Sequence, residues 1–133
     1  MSVTYSAPVD LRSTPKKKEP FILLTSFVVK WQREGKPLVE FEIEESFTTD
    51  LASIPRVARS IIPQVGKHLQ PAVVHDWCYE KSRTSEPMGL TRAEADMLFL
   101  EGMKNPAGVW WLRRNIMYGA VRTFGGSLWG GDK

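Results

Sequence analysis

A histidine and an aspartate stand side by side in the segment 70–80, and a tyrosine follows one helical turn later. Pro71 suits the first turn of a helix, because its missing N–H has no intrahelical partner to lose. At 3.6 residues per turn, His75 and Tyr79 lie on one face of this helix, with Asp76 about 100° round it. An imidazole beside a carboxylate can move a proton, and the carboxylate can hold a cation.

This helix is expected to lie against a hydrophobic core, because the residues before the pair, 72–74, are all apolar. His75 and Asp76 are then predicted at the edge of that core. A His–Asp dipeptide is common, however, and a half-buried histidine is more often a hydrogen-bonded structural group than a catalytic one. A function for the pair therefore needs support from another segment.

A second predicted helix supplies that support. Thr91 and Glu94 have the spacing of a capping box, which indicates where this helix begins. Asp96 follows among apolar residues, where a carboxylate is costly unless it has a partner. Pairing with His75 would fix the tautomer of the ring and leave its other nitrogen to act as a base. The alternative is an ordinary ion pair with Arg92, worth a few tenths of a kcal/mol.

A third polar cluster occupies the run TTDLASIPR at 48–56. Asp50 and Ser53 are candidates for the same site, because loops that join rigid elements commonly carry functional groups. Either side chain could equally cap a turn or a helix by bonding to nearby backbone. Both interpretations stay open at this point.

Composition is that of an ordinary globular domain. The chain has 133 residues with a net charge of +3, and 42% of them are hydrophobic and 25% charged, which suits one domain with a real core. The apolar runs are shorter than the roughly 20 residues that span a bilayer, and no secretory signal is expected. Cys78 is the single cysteine, so we expect a small buried side chain and a reducing cytoplasm.

The predicted fold is α+β, with one domain over residues 20–133 and a flexible, proline-rich arm over residues 1–19. The lysine run at 16–18 in this arm is either a solvated stretch or a contact to phosphates. Residues 21–31 predict one strand or two short ones, and the alternation at 39–44 predicts another. These strands should form an antiparallel β-hairpin.

The hairpin is expected to pack on a bundle of three to four helices. Helices are predicted at about 71–82, 92–104 and 109–124, with a short helical turn at 57–62. The third of them has apolar residues at helical spacing, which are Val109, Leu112, Ile116, Ala120 and Phe124, with Met117 and Val121 beside them.

The pattern His75-Asp76-x-x-Tyr79, with Asp96 on the next helix, resembles the catalytic helix pair of phospholipase A2. The resemblance implies that His75 activates water, that Asp76 binds calcium, and that Tyr79 and Asp96 steady the histidine. Calcium also suits a site that offers oxygen ligands and no thiolates. The glycine-rich calcium loop and the disulfides of the secreted enzymes are absent, and Asp50 stands in the region where that loop would be.

Four segments together resemble a second family over most of the chain. They are the run 47–56, the HDxxY helix, the pattern Arg92-x-x-x-Asp96-x-x-Phe99-x-x-x-Met103, and the pattern Tyr118-x-x-Val121-Arg122-x-Phe124-Gly125 with Trp129. The family consists of small phage and prophage proteins of uncharacterised function, often encoded near tail and lysis genes. It implies a phage origin and a location in the host cytoplasm or the virion, but it supplies no chemistry.

Three functions fit these residues. The first is a calcium-dependent lipid hydrolase that attacks host membrane lipid during entry or release. The second is a non-catalytic virion component, such as a tail or head-tail protein bound to other virion proteins, since five tryptophans suit assembly interfaces. The third, a His-Asp phosphohydrolase, needs another histidine ligand, and His68 is poorly placed. Because the basic residues are dispersed, no specific nucleic-acid partner is expected.

Overall fold

The computed structural model of the chain describes residues 2–15, 21–49, 67–82 and 89–130. Within these residues, six short strands form two antiparallel three-stranded sheets, and three helices pack together beside them. The predicted α+β fold is therefore confirmed. The lysine run at 16–18 and the helical turn predicted at 57–62 lie outside the described residues.

The six strands are β1 (Ser2–Tyr5), β2 (Leu11–Ser13), β3 (Phe21–Leu23), β4 (Phe27–Gln32), β5 (Val39–Ile43) and β6 (Thr48–Thr49). The first sheet has the order β1–β4–β5 and the second the order β2–β3–β6. Each sheet therefore combines strands from separate parts of the chain.

Strands β4 and β5 form the predicted antiparallel hairpin, and the stretch 21–31 contains two strands rather than one. Val29 and Trp31 of β4 are buried, as is Ile43 of β5, whereas Lys30 and Glu40 between them face solvent. This alternation is what a sheet with one face on a core requires.

The amino-terminal segment does not match its prediction. Proline-rich composition predicts a flexible arm over 1–19, and for residues 2–15 this is wrong, because β1 pairs with β4 and β2 pairs with β3. Val3 is buried, and Tyr5 packs edge-on against Phe27 with ring centroids 6.0 Å apart. Burial of these two apolar side chains offsets the entropy cost of ordering the segment.

The three helices are α1 (Leu69–Ser82), α2 (Arg92–Lys104) and α3 (Trp111–Phe124), and a turn of 3₁₀-helix (Gly125–Leu128) follows. α1 begins two residues before the predicted start, so Pro71 lies at its third position, where the N–H would also lack a helical partner. No helix among the described residues is long and apolar enough to cross a bilayer.

The predicted capping box at the start of α2 is present. The Glu94 N–H donates to Thr91 Oγ1 and the Thr91 N–H donates to Glu94 Oε1, both at 3.1 Å. Arg33, which follows β4, donates to the other Glu94 oxygen at 2.7 Å. The bond between Arg33 and Glu94 therefore also connects the first sheet to the start of α2.

Helix α3 is rotated so that only one side of its predicted apolar face lies on the core. Met117, Ala120 and Val121 are buried, whereas the predicted core positions Leu112 and Phe124 are 43% and 55% exposed. Arg92 of α2 donates to the main-chain carbonyls of Val121 and Arg122 near the end of α3 and so holds the helix in this rotation.

Helix α1 is the most deeply buried element, because every residue from 71 to 79 is covered. Trp77 stacks on Phe41 of β5 with ring centroids 4.7 Å apart, and its Nε1 donates to Glu44 Oε2 at 2.8 Å. These contacts hold α1 on the first sheet. Cys78 is buried as predicted, and burial, followed by the charges of two nearby aspartates, raises the pKa of its thiol.

Candidate functional site

The helix pair α1 and α2 brings His75 against Asp96. The His75 Nε2 atom lies 2.6 Å from Asp96 Oδ1. Both residues are buried, with 1% of His75 and 0% of Asp96 exposed. The near-core carboxylate thus has the imidazole partner that its apolar surroundings predict.

Asp96 is the centre of a larger network. The Tyr79 hydroxyl donates to the same Oδ1 at 2.7 Å, and Arg122 Nη1 donates to Oδ2 at 2.9 Å. Arg92 Nε lies 3.9 Å from Oδ2. The buried negative charge is therefore balanced by two guanidinium groups and bonded by three side chains, as a charge in a core requires.

Arg92 does more than form the predicted i,i+4 pair. Its Nη2 donates to the carbonyls of Val121 and Arg122 at 2.9 and 2.6 Å, and its Nε donates to the Tyr79 hydroxyl at 3.3 Å. It therefore holds the end of α3 on the site and orients the tyrosine. Its closest contacts are these oxygens rather than the Asp96 carboxylate.

Arg122 is the site residue that the sequence interpretation misses. Helical spacing places it opposite the apolar stripe of α3 and so predicts a solvent-facing side chain. The rotation of α3 brings it to Asp96 instead, with its side chain 36% exposed. One signal in the sequence could have pointed to Arg122. A buried Asp96 next to Arg92 can accept from a second cationic side chain, and Arg122 is near it.

His75 and Asp76 are not at the edge of the core, and that prediction is wrong. The His75 ring is covered by Tyr79 and Phe99, at centroid distances of 4.4 and 4.8 Å. Asp76 is covered by β6, whose Thr49 hydroxyl donates to Asp76 Oδ2. Aromatic and strand contacts from distant parts of the chain account for this depth.

The proposed metal ligands are only partly described. Asp76 is held by its hydrogen bond to β6, while Asp50 and Ser53 lie outside the described residues. Across the described ranges, no three His, Cys, Asp or Glu side chains group closely enough to hold a metal ion.

The charge state of Asp96 follows from its contacts. Burial raises the pKa of this carboxyl, but the hydrogen bond and charge of His75 and the hydrogen bonds from Tyr79 and Arg122 outweigh it. The resulting pKa lies below the ordinary value, so Asp96 is ionised at neutral pH and only accepts hydrogen bonds. The proton in its contact with His75 is therefore carried by Nε2.

Acid should weaken the fold through Asp96. Because its pKa is lowered on folding, its contribution is complete above the unfolded value of about 3.9 and is lost as pH falls through the lower folded value. Urea unfolding from pH 7 down to pH 2 should show this loss on the acid side. In Asp96→Asn the stability should be lower at pH 7 and fall less steeply with acid.

Gly125 gives a way to disturb the site without touching its charges. Its φ of −77° suits alanine, but a Cβ there would lie 2.9 Å from the Tyr79 hydroxyl. Gly125→Ala should therefore displace Tyr79 and lower the unfolding free energy by about 1–3 kcal/mol. Gly119→Ala on α3 is the control, because its Cβ would meet nothing within 4 Å; it should stabilise the helix by about 0.5–1 kcal/mol.

Both variants can be compared by thermal or urea unfolding. A Gly125→Ala protein as stable as wild type would mean that Tyr79 is not packed against the 3₁₀ turn as described.

Comparison with known families gives one match. The profile of a family described as "Protein of unknown function (DUF1353)" matches residues 21–121. No curated protein and no solved structure matches the chain. The matched stretch includes α1, α2 and most of α3, and hence the elements that carry the His75–Asp96 network.

Proposed function

The chain belongs to the DUF1353 family, whose function is unknown, and we propose that it is a hydrolase of phospholipid esters that works through His75 and Asp96. The observation that carries the proposal is the hydrogen bond from His75 Nε2 to Asp96 Oδ1, with Tyr79 on the same oxygen. This is the arrangement that the resemblance to phospholipase A2 implies. A phage origin, with host membrane lipid as the substrate, is part of the proposal.

Asp96 determines which ring nitrogen acts. With Nε2 donating to an ionised carboxylate, Nδ1 is the accepting nitrogen of the neutral ring. When Nδ1 takes a proton, the Asp96 charge stabilises the imidazolium that forms. Arg122 donates to Asp96 and Arg92 lies 3.9 Å from it, while Tyr79 and Phe99 hold the ring in place.

The reaction then follows as a general-base hydrolysis. His75 Nδ1 takes a proton from water while the water oxygen bonds to the ester carbonyl carbon, and the carbonyl electron pair moves to its oxygen. The tetrahedral intermediate collapses, the carbon–oxygen bond to the glycerol breaks, and His75 returns the proton to the departing alkoxide. Water is consumed, and a fatty acid and a lysophospholipid are produced. Such acid–base assistance contributes typically about 10²–10⁴-fold to a rate.

Calcium is proposed as a cofactor, with Asp76 and Asp50 as ligands. The proton transfers by His75 do not require it. If it binds, a hundredfold excess over its dissociation constant should raise the unfolding free energy by about 2.7 kcal/mol. The melting temperature of the wild type should then rise in millimolar calcium. Asp76→Asn should not respond, because its side chain keeps the shape but loses the charge that a hard cation needs.

Magnesium and a calcium chelator provide the controls for that measurement. Equal melting curves with calcium, magnesium and chelator would remove the metal from the proposal.

The proposed activity is tested by incubating the purified chain with phosphatidylglycerol vesicles and measuring released fatty acid. The wild type should release fatty acid, and Asp96→Asn should not. The neutral amide of asparagine lacks the negative charge that stabilises the His75 imidazolium. No release above that of buffer under any calcium concentration would reject the hydrolase proposal.

A second candidate function is a non-catalytic virion component. It is favoured by a specific observation: Trp110 and Trp111 are 68% and 61% exposed, as suits aromatic anchors of a protein interface. In that case the His75–Asp96 network only stabilises the core. Trp111→Ser should then reduce assembly with other virion proteins, measured by sedimentation, and the wild type should release no fatty acid.

A further inference from the structure

A pocket of about 480 Å³ opens beside the starts of α1 and α3, away from the His75–Asp96 network. Its size is within the usual range of small-molecule sites, about 300–1,000 Å³. Among the described residues, its lining contains two cations, a buried histidine, an indole and no carboxylate; these lining residues are Lys67, His68, Gly108, Val109, Trp110 and Arg113.

The two cations give the pocket a positive charge. Neither Lys67 nor Arg113 forms an ion pair with any residue that the structure describes. The first turn of α3 contains no acidic residue that could neutralise Arg113 from its own helix. An anion is therefore the ligand that this charge favours, and a guanidinium suits the paired oxygens of a phosphate.

The backbone leaves room for such a group. Gly108 has a φ of +66°, and no atom lies within 4 Å of the position where a Cβ would stand. Trp110, the residue that precedes α3, makes no side-chain capping hydrogen bond. The first N–H groups of the helix add further donors at this end, because they have no partner within the helix.

The mouth of the pocket is apolar as well as basic. Trp110 lines it with 68% of its surface exposed, and Trp111 and Leu112, the next two residues along the chain, are 61% and 43% exposed. An exposed indole at the mouth of a pocket can pack on an apolar or aromatic group of a ligand. A ligand that matched both properties would have an anionic group and an apolar or aromatic body.

We propose that this pocket binds a phosphate ester that carries an apolar or aromatic group, with Arg113 and Lys67 on the phosphate and Trp110 on the body. Phospholipid headgroups and nucleotides share this chemistry. The pocket does not contain His75, so its occupation is separate from ester hydrolysis.

Calorimetric titration of the full chain tests the proposal with three probes. They are a short-chain ether analogue of phosphatidylglycerol below its micelle concentration, AMP, and inorganic phosphate. The ether lipid has no ester to its chains that the proposed hydrolase could cleave, so binding is measured whether or not the protein is an enzyme. The tighter of the two organic phosphates identifies the natural source, and either should bind at least about tenfold more tightly than inorganic phosphate.

Three variants assign the contacts. Arg113→Gln should weaken the binding of all three probes by about tenfold or more, since a charge-assisted hydrogen bond is lost. Trp110→Ala should weaken only the organic phosphates. Lys36→Gln is the matched control, because Lys36 is an exposed turn residue outside the pocket, and its affinities should equal those of the wild type.

Two results would overturn the proposal. One is the absence of binding by every probe at millimolar concentration. The other is equal affinity in wild type, Arg113→Gln and Lys67→Gln, which would place any bound phosphate elsewhere on the protein.

Discussion

Replacing Asp96 with alanine should lower the free energy of unfolding by about 3–5 kcal/mol, which is the usual cost of breaking a buried ion pair. The change removes the acceptor of His75, Tyr79 and Arg122 together. The Nε2 atom of His75 and the hydroxyl of Tyr79 face Asp96 inside the fold, so both would lose their hydrogen-bond acceptor. Urea denaturation at neutral pH measures the effect.

A carboxylate on β5 serves as the control. Glu40 forms a surface pair with Lys30 at 3.5 Å, with 49% and 54% of the two side chains exposed, and pairs of this kind contribute at most about 1 kcal/mol. Glu40→Ala should therefore change stability much less than Asp96→Ala. Similar losses in the two variants would show that Asp96 is not the centre of a buried network.

His75→Gln should reduce fatty-acid release by about 10²–10⁴-fold, because glutamine cannot take a proton from water. Its amide nitrogen, at the position of the imidazole Nε2, can still donate to Asp96. The protein should therefore stay folded, and a melting curve establishes this before the rates are compared. Lys36→Gln introduces the same side chain at an exposed turn and should leave the rate unchanged.

Alanine would be a poor choice at this position. A histidine at the edge of a core could be truncated at little cost, but His75 packs on Tyr79 and Phe99. Truncation would leave a cavity and an unpaired carboxylate, and lost activity would then be confused with lost folding. A folded His75→Gln protein with full activity would contradict the role of His75 as the base.

Local patterns were sufficient for much of the fold. The alternation of β5 and the capping box at Thr91 and Glu94 are signals carried by neighbouring residues, and both elements are present. The contact between His75 and Asp96 followed from energetics, because a carboxylate among apolar residues needs a partner and few were available.

Features that depend on contacts between distant parts of the chain could not be predicted from local sequence patterns. Strand β1 is ordered by pairing with β4, which lies far along the chain, whereas Pro8 and Pro15 after it predict a loop. The rotation of α3, and with it the position of Arg122, depends on hydrogen bonds from Arg92. The burial of Asp76 likewise depends on Thr49.

The proposed reaction is the attack of water on a phospholipid ester, with His75, held by Asp96, as the base. Its most direct test is incubation of the protein with phosphatidylglycerol vesicles and calcium in water labelled with heavy oxygen, followed by mass spectrometry of the lipids. We expect wild-type protein to yield fatty acid with one heavy oxygen in its carboxyl group, and His75→Gln to yield no more than buffer. Unlabelled or absent fatty acid with the wild type, or equal yields from the two proteins, would contradict the claim.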